Sequence, residues 1–433
     1  MTMRIDYTRL LDLWRGIEQA GGREKYIQQQ LTERGFLVER KPTDKMSKAE
    51  LERYKKSLKD EAAEKRKLAR EAWQAYRASH LVHLGEGVFW SDDHDFDRWD
   101  LKNPEERAAE NELPKLDSPK LLAEALGLTI AELRWYAFHR DDATFVHYHT
   151  FQIPKRNGTM RAIWAPNRRL KQIQRWVNRE VVERLPVHGA AHGFLAGRST
   201  KSNAAAHTGA DTVVKIDLKD FFPTVTFPRV RGIFRKAGYR EQVATLLALL
   251  CTEAPRQVVD IKGKTHYLAL GPRCLPQGAP TSPALTNTLC QRLDRRLAGL
   301  ARKIGWRYTR YADDLTFSLP AGHKGKPLLG VLLGAVAKIA AEEGFAVHPD
   351  KTRVSRSGGR QQITGLVVNG KTAPRVPRDT KRQIRAALHN LSKGKPLQEG
   401  ETLSRIAGYI AYIQMTDPKL GKKLRDQLAA VGG

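Results

Sequence analysis

An α+β fold is predicted, built on an antiparallel sheet with helical segments before and after it. Three observations point there. Residues 306–310 and 315–319, both rich in aromatic and β-branched side chains, flank Tyr311-Ala312-Asp313-Asp314 and read as two strands of a hairpin. Residues 211–217 read as a further strand, with Val213, Val214 and Ile216 as its apolar body and Asp217 at its end. Residues 1–138 and those from 377 onward carry helical periodicity instead.

Composition narrows the partners. The chain of 433 residues has 75 Lys and Arg against 47 Asp and Glu, a formal charge of +28, which suits a polyanion. Cys251, Cys274 and Cys290 are scattered without metal-like spacing and read as reduced thiols of a cytoplasmic protein. No apolar run approaches the roughly 18 residues of a membrane span, and no signal peptide opens the chain.

In chain order, residues 1–45 read as two short amphipathic helices broken at Gly21-Gly22. Ser47-Lys-Ala-Glu50 is a capping box that starts a Lys- and Glu-rich helix running to about His80. Its thin apolar stripe fits a solvated or coiled-coil-like helix, or else an arm that contacts RNA. Residues 85–100 read as a loop anchored by Phe89, Trp90, Phe96 and Trp99. Residues 118–138 read as two helices separated at Gly127. Residues 151–166 alternate about Asn157-Gly158, a strong hairpin signal. A helix is expected from Leu170 to about Leu185, and another from Ala284 to Leu300. Three more are expected at 379–391, 403–415 and from Pro418.

Asp217 closing one strand and Asp313-Asp314 at a hairpin turn are carboxylates without packing value. Their arrangement fits a two-metal phosphoryl-transfer site, in which one ion activates the attacking oxygen and the other stabilises the leaving group. Asp313 is the preferred ligand of the adjacent pair, because neighbouring side chains on a strand point to opposite faces.

Taken in order, Asp217 to Phe222, Pro276-Gln277-Gly278 and Tyr311 to Asp314 resemble motifs A, B and C of the reverse transcriptases. Asn203-Ala-Ala-Ala-His207 ahead of motif A and Ile363-Thr364-Gly365 after motif C resemble the markers of the bacterial retron subclass, with isoleucine in place of valine in the second. The resemblance covers residues 140–433. The long N-terminal extension is similar to that of the larger myxobacterial-type retron enzymes and has no motif of its own.

The resemblance implies a right-hand polymerase. A helical extension would span 1–138, fingers and palm 139–370, and a helical thumb 371–433. Asp217, Asp313 and Asp314 would bind two Mg²⁺ ions (Mn²⁺ as a substitute), with the Leu218 carbonyl as a further ligand. Lys155 and Arg161 would face the triphosphate of an incoming dNTP. Phe222 would be the gate against a 2′-hydroxyl, Gln277 would touch the nucleotide, and Gly278 would let the backbone approach the templating base pair. Lys351 would meet the triphosphate or protonate pyrophosphate, or else serve as a plain helix-cap cation. Asn203, His207, Thr364 and Gly365 would contact structured RNA, and Lys381, Arg382, Arg385 and Lys393 the phosphates of the bound duplex.

The implied activity is RNA-directed DNA polymerisation on a structured noncoding RNA. That RNA would serve as template and as source of the priming 2′-hydroxyl, giving a branched RNA–DNA, with a role in anti-phage defence and a separate effector protein. Two other readings stand beside it. One is an enzyme like those of group II introns, for which no room is left after the thumb for an endonuclease domain. The other is a nucleoprotein scaffold that restrains a toxic partner. The extension is expected to contact RNA or a partner.

Overall fold

The computed structural model describes residues 7–34, 36–37, 41–81, 83–88, 101–154, 158, 160–370, 372–397 and 400–430. The aromatic loop residues Phe89, Trp90, Phe96 and Trp99, together with Lys155 and Asn157, lie outside them. The chain divides into two compact units, residues 1–80 and 81–433.

The first unit holds helices α1 (Tyr7–Gln19), α2 (Arg23–Glu33) and α3 (Lys48–Ser79). Gly21 and Gly22, at φ 75° and 119°, break α1 from α2 in backbone conformations that favour glycine. The expected capping box starts α3: the Ser47 hydroxyl accepts from Glu50 N, and the Glu50 carboxylate accepts from Ser47 N at 2.9 Å. None of the 32 residues of α3 is buried.

In the second unit, the described residues between 81 and 137 share one core with the sheet that follows. Leu81, Leu84, Leu122 and Leu133 are fully buried in it beside Val214 and Phe317. Helices α4 (Pro104–Glu110), α5 (Pro119–Ala125) and α6 (Ile130–Ala137) belong here, α6 opening on a Thr129/Glu132 capping box. Next come β1 (Asp142–Ala143) and the hairpin of β2 (Tyr148–Pro154) and β3 (Met160–Pro166). Helix α7 (Arg168–Glu180) is followed by a 3-10 turn at Val182–Arg184, so the long helix expected there is shorter.

A short α8 (Thr200–Ala205) leads into β4 (Ala210–Lys219), and α9 (Phe227–Ala237) and α10 (Glu241–Cys251) pack behind it. The hairpin β5 (Arg256–Ile261) and β6 (Lys264–Ala269) pairs with β1. The single helix expected at 284–300 is two, α11 (Ser282–Leu289) and α12 (Gln291–Lys303), because buried Cys290 sits at ψ 0° between them. Strands β7 (Arg307–Tyr311) and β8 (Asp314–Pro320), helix α13 (Leu329–Glu342), β9 (Ala346–Val347) and β10 (Arg353–Arg356) complete the central antiparallel sheet, ordered β10-β4-β8-β7 with β9 also on β4. This is the palm.

The small hairpin β11 (Gln362–Ile363) and β12 (Leu366–Val367) joins the palm to α14 (Arg378–Ser392), α15 (Leu403–Thr416) and α16 (Pro418–Ala429), which match the three C-terminal helices expected. They form a second apolar cluster around Ile384, Ile406, Ile410, Ile413 and Leu424, and Ala210 and Val213 of β4 belong to it. The pleat of β4 thus puts Val213 with the thumb helices and Val214 with the palm core. All three cysteines are buried and unpaired, and burial pushes their thiols up to about 12, 11 and 12 for Cys251, Cys274 and Cys290. No described helix is long and apolar enough to cross a membrane.

Candidate active site

Strand β4 reaches the site because Val214, Ile216 and Leu218 anchor it in the core while Asp217 stays half exposed at the sheet end. Its antiparallel register sets Asp217 directly opposite Asp314 of β8. Tyr311 pairs with Asp314 across the β7–β8 hairpin, so the turn is the two residues Ala312-Asp313. Ala312 has φ 55°, a left-handed conformation that costs an alanine about 1 kcal/mol. This turn geometry brings Asp313 off the strand beside Asp217, and the Asp313 carbonyl accepts from Leu218 N at 3.0 Å.

The three carboxylates feel one another. Burial and then the Asp314 charge push Asp313 up to about 6, with Asp217 adding to the effect. Burial also raises Asp314, opposed by Lys215, whose Nζ lies 3.9 Å from Asp314 Oδ2. Lys351 Nζ donates to Asp217 Oδ1 at 2.8 Å. Asp313 and Asp314, held above their ordinary range and answered by lysine ammonium groups, offer with Asp217 the kind of oxygen that hard divalent cations take. Asp217, Asp313 and Asp314 supply the hard carboxylate oxygens, and among the described residues they are not gathered into a ready three-ligand cluster.

A cleft of about 610 Å³ opens over these residues, and Asp217, Leu218, Asp313, Arg161, Phe222, Gln277 and Lys351 all line it. The resemblance named each of them. Leu218 has its side chain in the core, which leaves its backbone to face the cleft. Phe222 stands at the wall against buried Phe221, with ring centroids 5.6 Å apart, and Phe221 stacks on Phe345 at 5.5 Å. Gln277 is fixed by its carbonyl, which accepts from Trp164 N of the β3 strand at 2.7 Å.

Some assignments change. Gly278 makes a close approach to β3: at φ 125°, a Cβ there would lie 2.8 Å from the Trp164 carbonyl oxygen. Asn203 and His207 have no exposed surface, so neither can touch RNA directly. They tie α8 to the palm hairpin. His207 Nδ1 meets Ser318 Oγ at 2.7 Å and Nε2 meets Thr309 Oγ1 at 2.7 Å, while the Thr309 hydroxyl donates to Asn203 Oδ1 at 2.6 Å. With the Thr309 proton committed to Asn203, its oxygen accepts from Nε2–H and the Ser318 hydroxyl donates to Nδ1. Burial depresses His207 to about 3, which keeps the ring neutral. Thr364, half-buried, donates to the Thr200 carbonyl at 3.0 Å, and Gly365 is exposed beside it. Lys381 is paired with Asp417 at 3.4 Å inside the thumb, whereas Arg382, Arg385 and Lys393 are exposed.

Three contributors carried no readable signal in the sequence. Phe194, at φ 60°, lines the cleft with its ring centroid 6.3 Å from that of Tyr311. Glu253 and His348 also line it, and His348 N donates to the Asp217 carbonyl at 2.8 Å. Beneath the turn lies a buried ion pair. Arg310 Nε and Nη2 donate to the two Asp294 oxygens at 2.8 and 2.7 Å, and Nη1 donates to Asn287 Oδ1 at 3.0 Å and to the Ala312 carbonyl at 3.2 Å. Tyr308 OH donates to the same carboxylate at 2.8 Å, and Asn287 Nδ2 donates to the Gly193 carbonyl at 2.8 Å. Gly193 has no room for a side chain, since a Cβ would fall 2.9 Å from Ala312 N. The strained turn is therefore braced from below and from one side.

A palm sheet with carboxylates at its strand ends, under a cleft walled by a fingers hairpin, defines a template-directed polymerase of the reverse transcriptase class. Residues 153–385 match the family model for reverse transcriptases (RNA-dependent DNA polymerases). The chain is 52% identical to the Retron Mx162 reverse transcriptase of Myxococcus xanthus, over 98% of this chain and 90% of that one. It is 44% identical to the Retron Mx65 reverse transcriptase of the same organism, over 75% and 74% of the two chains. To the Retron Ec86 reverse transcriptase of Escherichia coli it is 31% identical, over 72% and 88%. The chain belongs to the retron reverse transcriptases, in their myxobacterial type, and is an RNA-directed DNA polymerase.

Proposed function

We propose that the enzyme copies a structured noncoding RNA into single-stranded DNA, primed from an internal 2′-hydroxyl of that RNA, so that the product is a branched RNA–DNA. The reading is supported by one observation above others: Asp217 and Asp313 share a cleft with Arg161, Phe222, Gln277 and Lys351, with Asp314 paired beside Asp217. Two Mg²⁺ ions held by Asp217, Asp313, Asp314 and the Leu218 carbonyl would supply the charge that activates the attacking oxygen and neutralises the leaving pyrophosphate. Arg161 would take triphosphate oxygens from the fingers side, with Lys155 as its partner there. Phe222 would close the space that a ribose 2′-hydroxyl needs, which selects dNTPs. Lys351, released from Asp217 when cations bind, would turn to the triphosphate.

In this reading fingers and palm run from 139 to 370 and the thumb from 371. Thr364, Gly365, Arg382 and Arg385 would meet RNA or the growing duplex on its sugar–phosphate side. Anti-phage defence with a separate effector protein is the proposed setting, in the cytoplasm. The test is expression with the flanking noncoding DNA, followed by extraction of nucleic acid. A small DNA shortened by debranching enzyme, and absent from the Asp313→Ala/Asp314→Ala variant, supports the reading. Synthesis on a generic primed template with no branched species would overturn the priming step, and no synthesis on any template would overturn the whole reading.

A further inference from the structure

The long helix α3 of the first unit has a marked charge order. Lys48, Lys55, Lys59, Arg66, Arg70 and Arg77 follow one another at spacings of seven, four, seven, four and seven residues. At about 100° per residue they fall within about 60° of arc, and they run along about 43 Å of helix. All six are exposed. The acids Glu50, Asp60, Glu61, Glu64 and Glu71 lie on the other side, and Glu52 alone falls within the basic arc. The two ion pairs described on α3 are Lys65 with Glu61 at 2.9 Å and Lys67 with Glu71 at 4.0 Å, both off the row. Six cations left facing solvent in line repel one another at the i,i+4 contacts. Such a row is stabilised by a polyanion laid along it.

A second observation lies at the end of the row. Trp73, Tyr76 and His80 form a stack beside Arg70 and Arg77, with centroids 5.8 and 4.2 Å apart and planes within 12° and 2°. Trp73 is 49% exposed and Tyr76 37%. Flat aromatic faces next to cations accept an unstacked base, since every base has a π-face. A membrane surface fits less well: the apolar arc is Leu51, Tyr54, Leu58, Ala62, Ala69 and Tyr76, of which the first four are half-buried.

We propose that α3 is an RNA-binding arm, whose row of six cations lies along the phosphate backbone of an RNA stem and whose aromatic end meets an unpaired base at the stem's edge. The choice of RNA as the polyanion rests on the proposed function; the surface itself does not. The probe is a fluorescein-labelled RNA hairpin of about 20 base pairs with an unpaired loop, titrated with the full chain over a range of salt. The row variant is Lys55→Glu/Lys59→Glu/Arg66→Glu/Arg70→Glu. The control, Arg53→Glu/Lys56→Glu/Lys65→Glu/Lys67→Glu, makes the same change in net charge off the row.

The row variant should bind on the order of 10-fold or more weaker, with a salt slope reduced by about 3–4. The control should keep both within about a factor of 3. Extension of a short DNA primer on an RNA template, which reads the cleft, should be unchanged in both, and circular dichroism should show equal helicity. Equal losses in the two variants would reduce the effect to net charge and overturn the arm. An unchanged slope in the row variant would do the same, as would tighter binding of the wild-type chain to phosphatidylserine vesicles than to the hairpin. Loss of primer extension in the wild-type chain would instead strike at the proposed function and leave the arm standing.

Discussion

Asp294→Asn tests whether the catalytic turn is held from beneath. Asp294 and Arg310 are both 0% exposed, and the carboxylate takes two guanidinium hydrogen bonds and one from Tyr308. The amide keeps the shape and removes the charge, so Arg310 is left buried without its counter-ion and one of its donors faces an amide NH₂. Removing one partner of a buried pair costs about 3–5 kcal/mol, a large share of the roughly 5–15 kcal/mol that folded proteins have in total. Urea unfolding followed by tryptophan fluorescence should show that loss as a lower midpoint with an unchanged slope. Because Arg310 also donates to the Ala312 carbonyl, kcat for primer extension should fall by about 10-fold or more at temperatures where the variant is still folded. A Tyr308→Phe/Asp294→Leu/Arg310→Met variant, which removes charge and partner together, should recover part of the stability and none of the kcat. An Asp294→Asn protein within 1 kcal/mol of wild type, with normal kcat, would refute the bracing argument.

Five further outcomes are expected. Asp313→Asn should abolish synthesis. Because the folded protein raises Asp313 to about 6, that carboxylate costs stability above pH 6 and ceases to do so as pH falls through 6 towards 4; without divalent cations the variant should therefore melt about 1–3 °C higher at pH 7.5, with no difference at pH 4. In the wild type, cation affinity measured by calorimetry should weaken as pH drops below about 6, since the proton and the metal compete for one oxygen. His207→Ala should cost about 2–4 kcal/mol, from two lost hydrogen bonds and the hydroxyls left unpaired, while RNA affinity of the folded protein is unchanged; a selective loss of RNA binding would restore a contact role. Phe222→Ala should raise NTP incorporation relative to dNTP by about 10-fold or more, equivalent to about 1.4 kcal/mol, measured on a primed RNA template. Gly278→Ala should lower kcat/KM for dNTPs and cost about 1–3 kcal/mol, because the new methyl meets the Trp164 carbonyl and Ile163.

Local chemistry was legible in the sequence, and so was the order of the motifs. The strand carrying Asp217, which runs on to Lys219 rather than ending there, the hairpin at Ala312-Asp313 and the three thumb helices follow from periodicity and caps, which depend on near neighbours in the chain. The β5–β6 hairpin went unread although Lys262-Gly263 carries a turn signal between apolar runs, with φ 54° and 76° there. Partnerships across the chain are different. Asn203 and His207 are polar side chains that sequence alone assigns to the surface; their burial depends on Thr309 and Ser318, more than a hundred residues away. Arg310 reads as one more cation of a basic chain, and only the fold shows that it faces Asp294. The start of the core at Leu81 was hidden for the same reason, since the helices of 104–137 carry no label saying which unit they cover.

Strand β4 joins two bodies of apolar packing, with Val214 and Ile216 turned to the palm and Ala210 and Val213 to the thumb. A polymerase that grips its duplex with one body and reacts it with another would in principle let processivity and turnover vary independently. In the proposed function the grip and the chemistry share a strand. Excising the thumb for a minimal enzyme would strip the cover from Val213, four residues from Asp217, and would be felt as slower bond formation as well as earlier release. Engineering of this enzyme for longer or shorter DNA products is better aimed at the exposed cations of α14 than at its length.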